Sequence, residues 1–403
     1  MRNHLKFISV GFALVALAAC GDKREHYGFV TTLGNDTIAV EHITRAADMM
    51  ISEEVDRFPR VRRRHSVITT MPNGGMRHVE MDITEPGGPT PAARERHFVA
   101  DVGNDSVRIT VTDSTQTQHR VFPTGGRPTM LHVSQMYGAI ELFMAAGIQQ
   151  AAESQLAEGD SVRLNQFYAD REFDDFPLHE GWVRPHKNGT VDLWHDWLSG
   201  MASAVFDTTR RMQSYSGQGT TYKVDVQRVN GKPKVDVLYK RFAAAEKARG
   251  GQVQLSARDT TRGTIGRAKF EIDYGRPLAR GRQLLGNVIA YGEVWRTGAN
   301  AASQFTTSAP INIANLNVPA GKYTLWTVPR KDGSSELRIN SQTGQWGTGY
   351  DGQFDLGGRP MQTDSVKEFV DKFTISIRSI DATHGALVLE WGDFRWMAPI
   401  VVK

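Results

Sequence analysis

The feature that most limits what this chain can fold into is a run of short alternating segments punctuated by tight turns. Residues 37–42 alternate apolar and polar, and so do residues 61–71, which end in Pro72-Asn73-Gly74-Gly75 before Met76–Thr84 returns. Such a turn between alternating runs is the signature of a β-hairpin. If Met71 faces Met76, then Ile68, Val79, Met81 and Ile83 share one face, and His65, His78, Glu80 and Asp82 share the other. One apolar and one polar face is what an antiparallel sheet covered on a single side requires. The same logic predicts strands over 96–102, 107–112, 119–122, 161–169, 180–185, 190–198, 222–229 and 234–242. Gly103-Asn104-Asp105, Lys187-Asn188-Gly189 and Asn230-Gly231 supply turns between them.

One stretch breaks the alternation. Ser134 is an N-cap residue, and Met136, Ile140, Phe143 and Met144 recur at helical spacing, so residues 134–157 are predicted to form one helix or two short ones packed on the meander. Gly138 and Gly147 oppose this by about 1 kcal/mol each. The fold class is therefore predominantly all-β: an antiparallel, open-barrel-like meander over 27–245, a linker over 246–263 and a β-sandwich over 264–403. Strands of the sandwich are predicted at 269–274, 304–308, 322–329, 335–340, 373–381, 386–391 and 397–403. In outline the meander resembles the periplasmic lipoprotein-carrier fold, in which an open barrel curls around an apolar concavity. The other reading is a sandwich or barrel with a filled core.

The N-terminus points to export. Arg2 and Lys6 precede an uncharged apolar stretch, 7–18, too short for a permanent membrane span. It ends in Leu17-Ala18-Ala19-Cys20-Gly21, which resembles the lipobox cut by lipoprotein signal peptidase. That resemblance implies a signal peptide over 1–19, a lipid on Cys20 and a tether over 20–26. An ordinary signal peptide that happens to contain a cysteine is the alternative. Gly21 after the cysteine, by resemblance to enterobacterial sorting, implies the outer membrane and a protein on the periplasmic face of the envelope. Cys20 is the only cysteine, so no internal disulfide is expected.

Removing residues 1–19 takes away Arg2 and Lys6 and no acid, so the formal charge falls from +4 to +2. A nearly balanced chain of this kind does not read as a nucleic-acid binder. The densest basic run, Arg60-Val61-Arg62-Arg63-Arg64, reads as a solvated strand edge.

The C-terminal part carries the distinctive strings. Asp273-Tyr274-Gly275-Arg276-Pro277 is followed by Arg280-Gly281-Arg282 and Trp295-Arg296-Thr297-Gly298-Ala299-Asn300. Pro319-Ala320-Gly321-Lys322-Tyr323 and Gly344-Gln345-Trp346-Gly347 come later. From about residue 266 onwards these resemble the exported bacterial family known as domain of unknown function 2911. The resemblance implies a compact envelope β-sandwich and assigns no reaction. One departure is the glycine-rich stretch Asp355-Leu356-Gly357-Gly358-Arg359-Pro360.

Read physically, Gly321 and Gly298 supply bends, and Asn300 is suited to an Asx cap. Arg296 is suited to bidentate pairing with a carboxylate, either internal (Asp273, Glu293 or Asp351) or on a ligand. Trp295 and Trp346 are core residues or a stacking platform for a sugar ring. Trp295, Arg296, Asn300 and Trp346 are thus the candidate ligand-binding set, with a structural Arg–Asn corner as the competing account.

The twelve histidines lack metal-ligand spacing. His179, His186 and His195 fall on one hairpin but too far apart along it for one ion. No nucleophile elbow or phosphate loop is present, so no catalytic residue, metal or cofactor is assigned. The sequence supports a membrane-anchored, non-catalytic binding module for a lipid-like or apolar ligand or an envelope partner. The alternatives are a carbohydrate- or peptidoglycan-binding protein and an envelope hydrolase using a carboxylate pair.

Overall fold

The computed structural model describes residues 24–169, 178–195, 198–251 and 254–403; Cys20 and the apolar stretch before it lie outside them. The chain is mostly β. Its first part forms one fifteen-stranded sheet. The strands are β1 (Glu25–Leu33), β2 (Asp36–Ala46), β3 (Met49–Asp56), β4 (Arg62–Thr70), β5 (Met76–Thr84), β6 (Glu95–Val102), β7 (Ser106–Asp113) and β8 (Thr117–Pro123). They continue with β9 (Thr129–His132), β10 (Val162–Tyr168), β11 (His179–Pro185), β12 (Thr190–His195), β13 (Leu198–Phe206), β14 (Met212–Ser216) and β15 (Asp225–Asn230). Neighbours in sequence are neighbours in the sheet from β8 back to β1. Strand β1 then pairs with β15, and the order runs back to β9. The sheet curls until its two arms meet: Leu131 N lies 2.9 Å from Met76 Sδ, and the Phe98 and Phe167 rings stack at 6.2 Å.

The β4–β5 hairpin has the expected faces. Ile68 pairs with Val79, and Ile68, Val79, Met81 and Ile83 are all buried. The basic run is a correction. Strand β4 is central, so its arginines alternate between the two faces. Arg64 is fully buried, with its Nη1 2.8 Å from Glu54 and 2.7 Å from Asp56, both also buried. Arg63 points outward to Asp236 at 2.9 Å.

Of the helices, α1 (Pro91–Arg94) is a single turn, α2 (Tyr137–Glu153) lies inside the curled sheet and α3 (Val235–Arg249) lies outside it. Every residue of α2 from Tyr137 to Met144 is buried, the pattern of a helix enclosed on all sides. It does not merely rest on the meander; among the described residues it occupies the concavity that a carrier fold leaves open. The two glycines explain the fit. A Cβ on Gly138 would lie 2.7 Å from Ile43, and one on Gly147 would lie 2.5 Å from the Val183 Cβ.

Charge inside the sheet holds the helix in register. Glu141, fully buried on α2, accepts bonds from Tyr27 Oη at 2.6 Å, Arg45 at 2.8 Å, Arg228 at 3.2 Å and the Met212 amide at 3.0 Å. The Arg228 guanidinium also sits 3.5 Å over the Tyr27 ring. Glu41 accepts the Gly138 amide at 2.8 Å and Ser52 Oγ at 2.6 Å, which satisfies an otherwise orphan donor at the helix N-terminus.

Residues 234–242 do not form the expected strand. Val235, Leu238, Tyr239 and Phe242 line one face of α3 and pack on Val40, Val55 and Val61. The local Val235–Val237 alternation imitates a strand, but Val237 is exposed. The segment 246–263 is likewise more than a linker, because it holds the end of α3 and most of β16 (Ser256–Ile265).

The remaining strands are β17 (Ala268–Pro277), β18 (Ser303–Thr307), β19 (Ile311–Ile313), β20 (Leu316–Val318), β21 (Gly321–Pro329), β22 (Ser335–Asn340), β23 (Asp355–Pro360), β24 (Gln362–Ser379) and β25 (His384–Val402). They form a six-stranded sheet, β16-β17-β18-β21-β22-β23, and a four-stranded sheet, β20-β19-β25-β24. Phe270, Ile272, Phe305, Leu325, Leu337 and Ile339 of the first share a core with Phe373, Ile375, Leu387, Leu389, Trp391 and Trp396 of the second. The glycine-rich stretch Asp355–Pro360 is the edge strand β23 paired with β22.

Two outcomes are expected. Gly147→Ala gains about 1 kcal/mol of helix propensity but drives a Cβ into Val183, at a cost of about 1–3 kcal/mol. Denaturant unfolding should show net destabilisation, and a stabilised variant would mean that α2 is not tight against β11. Burial pushes the Glu41 carboxyl up to about 7, above its unfolded value near 4.5. The native state therefore binds the extra proton between those values, and the cost of the charged form is relieved as pH falls through the window. Relative to Glu41→Gln, the wild type should gain roughly 3 kcal/mol between pH 8 and pH 4.5. A flat difference would refute the assignment.

Candidate functional site

The tip of the β1–β2 hairpin meets the C-terminal sandwich. Gly34 has a φ of +60°, and a Cβ there would lie 2.3 Å from the Arg280 carbonyl. This close approach lets the Asn35 amide donate to that carbonyl at 2.9 Å. Arg280 pairs with Asp36, which also faces Arg57 at 3.5 Å. Beside this contact lies a cleft of about 430 Å³ between the two parts of the molecule. Leu33, Phe58, Pro59 and Thr220–Lys223 line one side, and Trp295, Arg296, Gly298–Asn300, Arg280 and Arg282 line the other.

The conformation of residues 295–300 follows from strong local constraints. Trp295 exchanges two backbone bonds with Thr327, at 2.7 and 3.0 Å. Thr297 and Asn300 adopt left-handed backbone, with φ of 49° and 63°, which is uncommon for residues with a Cβ and concentrates at functional sites. The carbonyl of Thr297 is held by Ser303 Oγ at 2.6 Å. The bend is thus shared by three residues rather than made by Gly298 alone. Gly321 has no left-handed φ; it opens β21. Asn300 is not an Asx cap either: among the described residues no backbone amide donates to its Oδ1, and its Nδ2 donates to the Ser256 carbonyl at 3.4 Å.

Trp295, Arg296 and Asn300 line the cleft together, whereas Trp346 does not. Trp346 is 59% exposed on the flank, and its backbone bridges Ala301. The adjacent Gly347 makes room for the Arg296 side chain, since a Cβ there would come within 2.3 Å of Arg296 Cδ. Trp295 is half-buried and stacks on the buried Trp391 at 6.0 Å, with Phe373 edge-on at 5.0 Å.

None of the three proposed internal carboxylates pairs with Arg296. Asp273 is bound by Arg258 at 2.9 Å, Asp351 accepts the Gln353 amide at 2.9 Å, and Glu293 is exposed. Among the described residues Arg296 donates only to the Asn300 carbonyl, at 3.1 Å. Arg282 donates to the carbonyls of Leu278 and Ala279, at 2.8 and 3.1 Å, and Lys223 Nζ to that of Gln218 at 2.5 Å. No Asp or Glu is among the described lining residues. Burial pushes the Arg282 and Arg296 guanidiniums below their ordinary range. It also lowers the Lys223 ammonium, and repulsion from Arg282 and Arg296 lowers it further. Three partly desolvated cations with no carboxylate ion pair among the described residues make a positive field for an anion, which Asp36 and Asp371 temper at Arg282.

Lys223 and Arg282 join the sequence-derived residues only in the folded structure. Arg282 sits in the distinctive Arg280-Gly281-Arg282 string, which was a usable signal, but nothing local marks Lys223.

The other candidates resolve differently. The sequence assigns no residues to a carboxylate pair; Glu54 and Asp56 converge on Arg64 and are fully buried, not in a cleft. His65, His78 and His97 lie on the outer face with Glu53, Asp101 and Asp82 at 2.5, 2.7 and 2.8 Å. His195 is separated from His186 and instead lies 4.8 Å, ring to ring, from His132. Among the described residues no group of His, Asp or Glu is arranged to hold a metal ion, and no helix is long and apolar enough to cross a membrane.

Residues 256–400 match the family model described as protein of unknown function, DUF2911. This agrees with the resemblance read from the C-terminal strings and begins earlier, at the start of β16. No curated protein matches the chain. Among solved structures it is similar to a DUF1089-family protein from Pseudomonas aeruginosa, at 10% identity and a TM-score of 0.34, over 46% of this chain and 92% of that one. It is also similar to a beta-barrel-like protein of domain of unknown function DUF1849 from Brucella abortus, at 9% identity and a TM-score of 0.30, over 52% and 95%.

The cationic cluster makes a direct expectation about Lys223. In NMR of lysines labelled beside Nζ, its titration should lie below that of the exposed lysines, and Arg296→Gln should raise it. A Lys223 titration indifferent to Arg296 would show that the charges do not share one cleft.

Proposed function

We propose that this protein is an envelope lipoprotein, anchored through Cys20 to the periplasmic face of the outer membrane, that binds a small anionic ligand between its two β parts. In this reading the carboxylate or phosphate of the ligand lies among Lys223, Arg282 and Arg296, and a ring or hydrocarbon portion lies against Trp295 beside Asn300. The observation that carries it is the set of three partly desolvated cations lining a cleft whose described lining residues include no Asp or Glu. Three adjacent like charges cost free energy in the empty protein, and an anion relieves that cost. Arginine also matches carboxylate and phosphate in a planar, bidentate way.

The glycan reading is retained in an acidic form, in which the Trp295 face meets a charged sugar. The apolar-carrier reading is not retained, because α2 fills the space that such a ligand would need. Nor do the described lining residues of this cleft supply the acid pair that a carboxylate-pair hydrolase needs.

Tryptophan fluorescence of the mature, delipidated chain tests this with glucuronate, glucose 6-phosphate and neutral glucose. At least one of the two anions should bind, and glucose should not. Arg296→Ala should weaken anion binding by about tenfold or more, the loss of one charge-assisted hydrogen bond. Equal responses to all three sugars, or an unchanged affinity in Arg296→Ala, would overturn the proposal.

A further inference from the structure

We infer that the opposite end of the curled sheet rests on an anionic phospholipid surface, with a second, arginine-lined pocket receiving a headgroup phosphate. This rests on the reading of Cys20 as the lipid-bearing residue, though the pocket itself is independent of it.

Strand direction supplies the geometry. Strand β1 begins at Glu25, five residues after Cys20, so a fully extended tether reaches about 18 Å at most. Glu25 pairs in register with Arg45, and its carboxylate takes Arg211 at 3.1 Å. Arg45 and Arg211 both line a pocket of about 420 Å³, together with Arg77, Arg210, Asp48 and Gln149. The turns at 47–48, 71–75 and 207–211 surround the same rim. At the other end of β1, Leu33 lines the ligand cleft. The nine residues of β1 rise about 30 Å. The lipid anchor therefore holds the arginine-lined rim toward the bilayer and the cleft away from it.

The chemistry of the rim suits phosphate. Arg45 and Arg211 are engaged by Glu141 and Glu25. Arg77 is exposed and has no carboxylate partner among the described residues. Arg210 is exposed, held in a left-handed conformation at φ 58°, and donates to the neutral Gln149 Oε1 at 3.2 Å. Asp48 is the one carboxylate among the described lining residues. Nearby, the exposed Asp207 is tied to its own turn, where it accepts the amides of Thr209 and Arg211, at 2.8 and 3.0 Å. Two available guanidiniums at a membrane-facing rim are what an anionic headgroup layer attracts.

The test uses the mature chain from residue 21, without lipid, so that any binding comes from the protein surface itself. Co-sedimentation is measured with phosphatidylcholine vesicles and with vesicles that also contain phosphatidylglycerol, and glycerol 3-phosphate is titrated separately. Binding should require phosphatidylglycerol and fall by about tenfold or more in Arg77→Glu/Arg210→Glu, with unchanged circular dichroism. Arg296→Ala should bind these vesicles like wild type. Equal binding to both vesicle types, or a charge-reversed variant that binds undiminished, would overturn the inference. Tight binding of glycerol 3-phosphate without vesicle binding would also overturn it, by assigning the pocket to a soluble phosphate ester. Failure of acylation is read separately, from the intact mass of the membrane-extracted protein, so the two failures are distinguishable.

Discussion

Helix α2 inside the curled sheet is the constraint on which the rest of the molecule depends. A sheet of fifteen strands cannot close on its own side chains, and the helix supplies the missing core. Its position is set by two kinds of contact. Gly138 and Gly147 let the helix backbone approach β2 and β11 closely, and Glu41 and Glu141 tie it to both arms of the sheet. Buried charges of this sort add little net stability. Removing one partner would nevertheless leave the others uncompensated, so they oppose any sliding of the helix.

With the interior filled by α2, the clefts described above lie at the two ends of the sheet. The sheet presents its two ends, and the chain has placed different chemistry at each. At one end, the hairpin tip at Gly34 and Asn35 docks on the Arg280–Arg282 loop and leaves a cleft lined by cations and tryptophan. At the other, Arg45, Arg77, Arg210 and Arg211 surround the entry of the chain. An internal ion pair neutralises Arg280 through Asp36, whereas Lys223, Arg282 and Arg296 donate to carbonyl oxygens. That contrast within one loop and its neighbours separates structural cations from those available to a ligand.

Much of the sheet was legible from residue alternation, because a half-covered strand exposes one face and buries the other. The β4–β5 pairing is the clearest case, since its turn and its two faces specify one register. Alternation failed where something beyond the local chain decided the outcome. Val235 and Val237 alternate, yet Phe242 and Val235 find Val40 and Val61 across the sheet, and a helix results. The arginine run looked solvated because its acids, Glu54 and Asp56, lie on another strand. In the site, Trp295, Arg296 and Asn300 were legible as an unusual string. Lys223 reaches them only through folding, and no spacing in the sequence encodes that meeting. Trp346 was misleading for a simpler reason: its backbone, rather than its ring, faces the segment that shapes the cleft.

The central claim is that a desolvated cluster of cations between the two β parts is there to hold an anion. Native mass spectrometry of the protein purified gently from its own cells addresses this most directly. The account predicts a retained small molecule bearing a carboxylate or phosphate, present in the wild type and absent when Arg282 and Arg296 are both replaced by glutamine. A neutral apolar molecule retained equally by both proteins would contradict it.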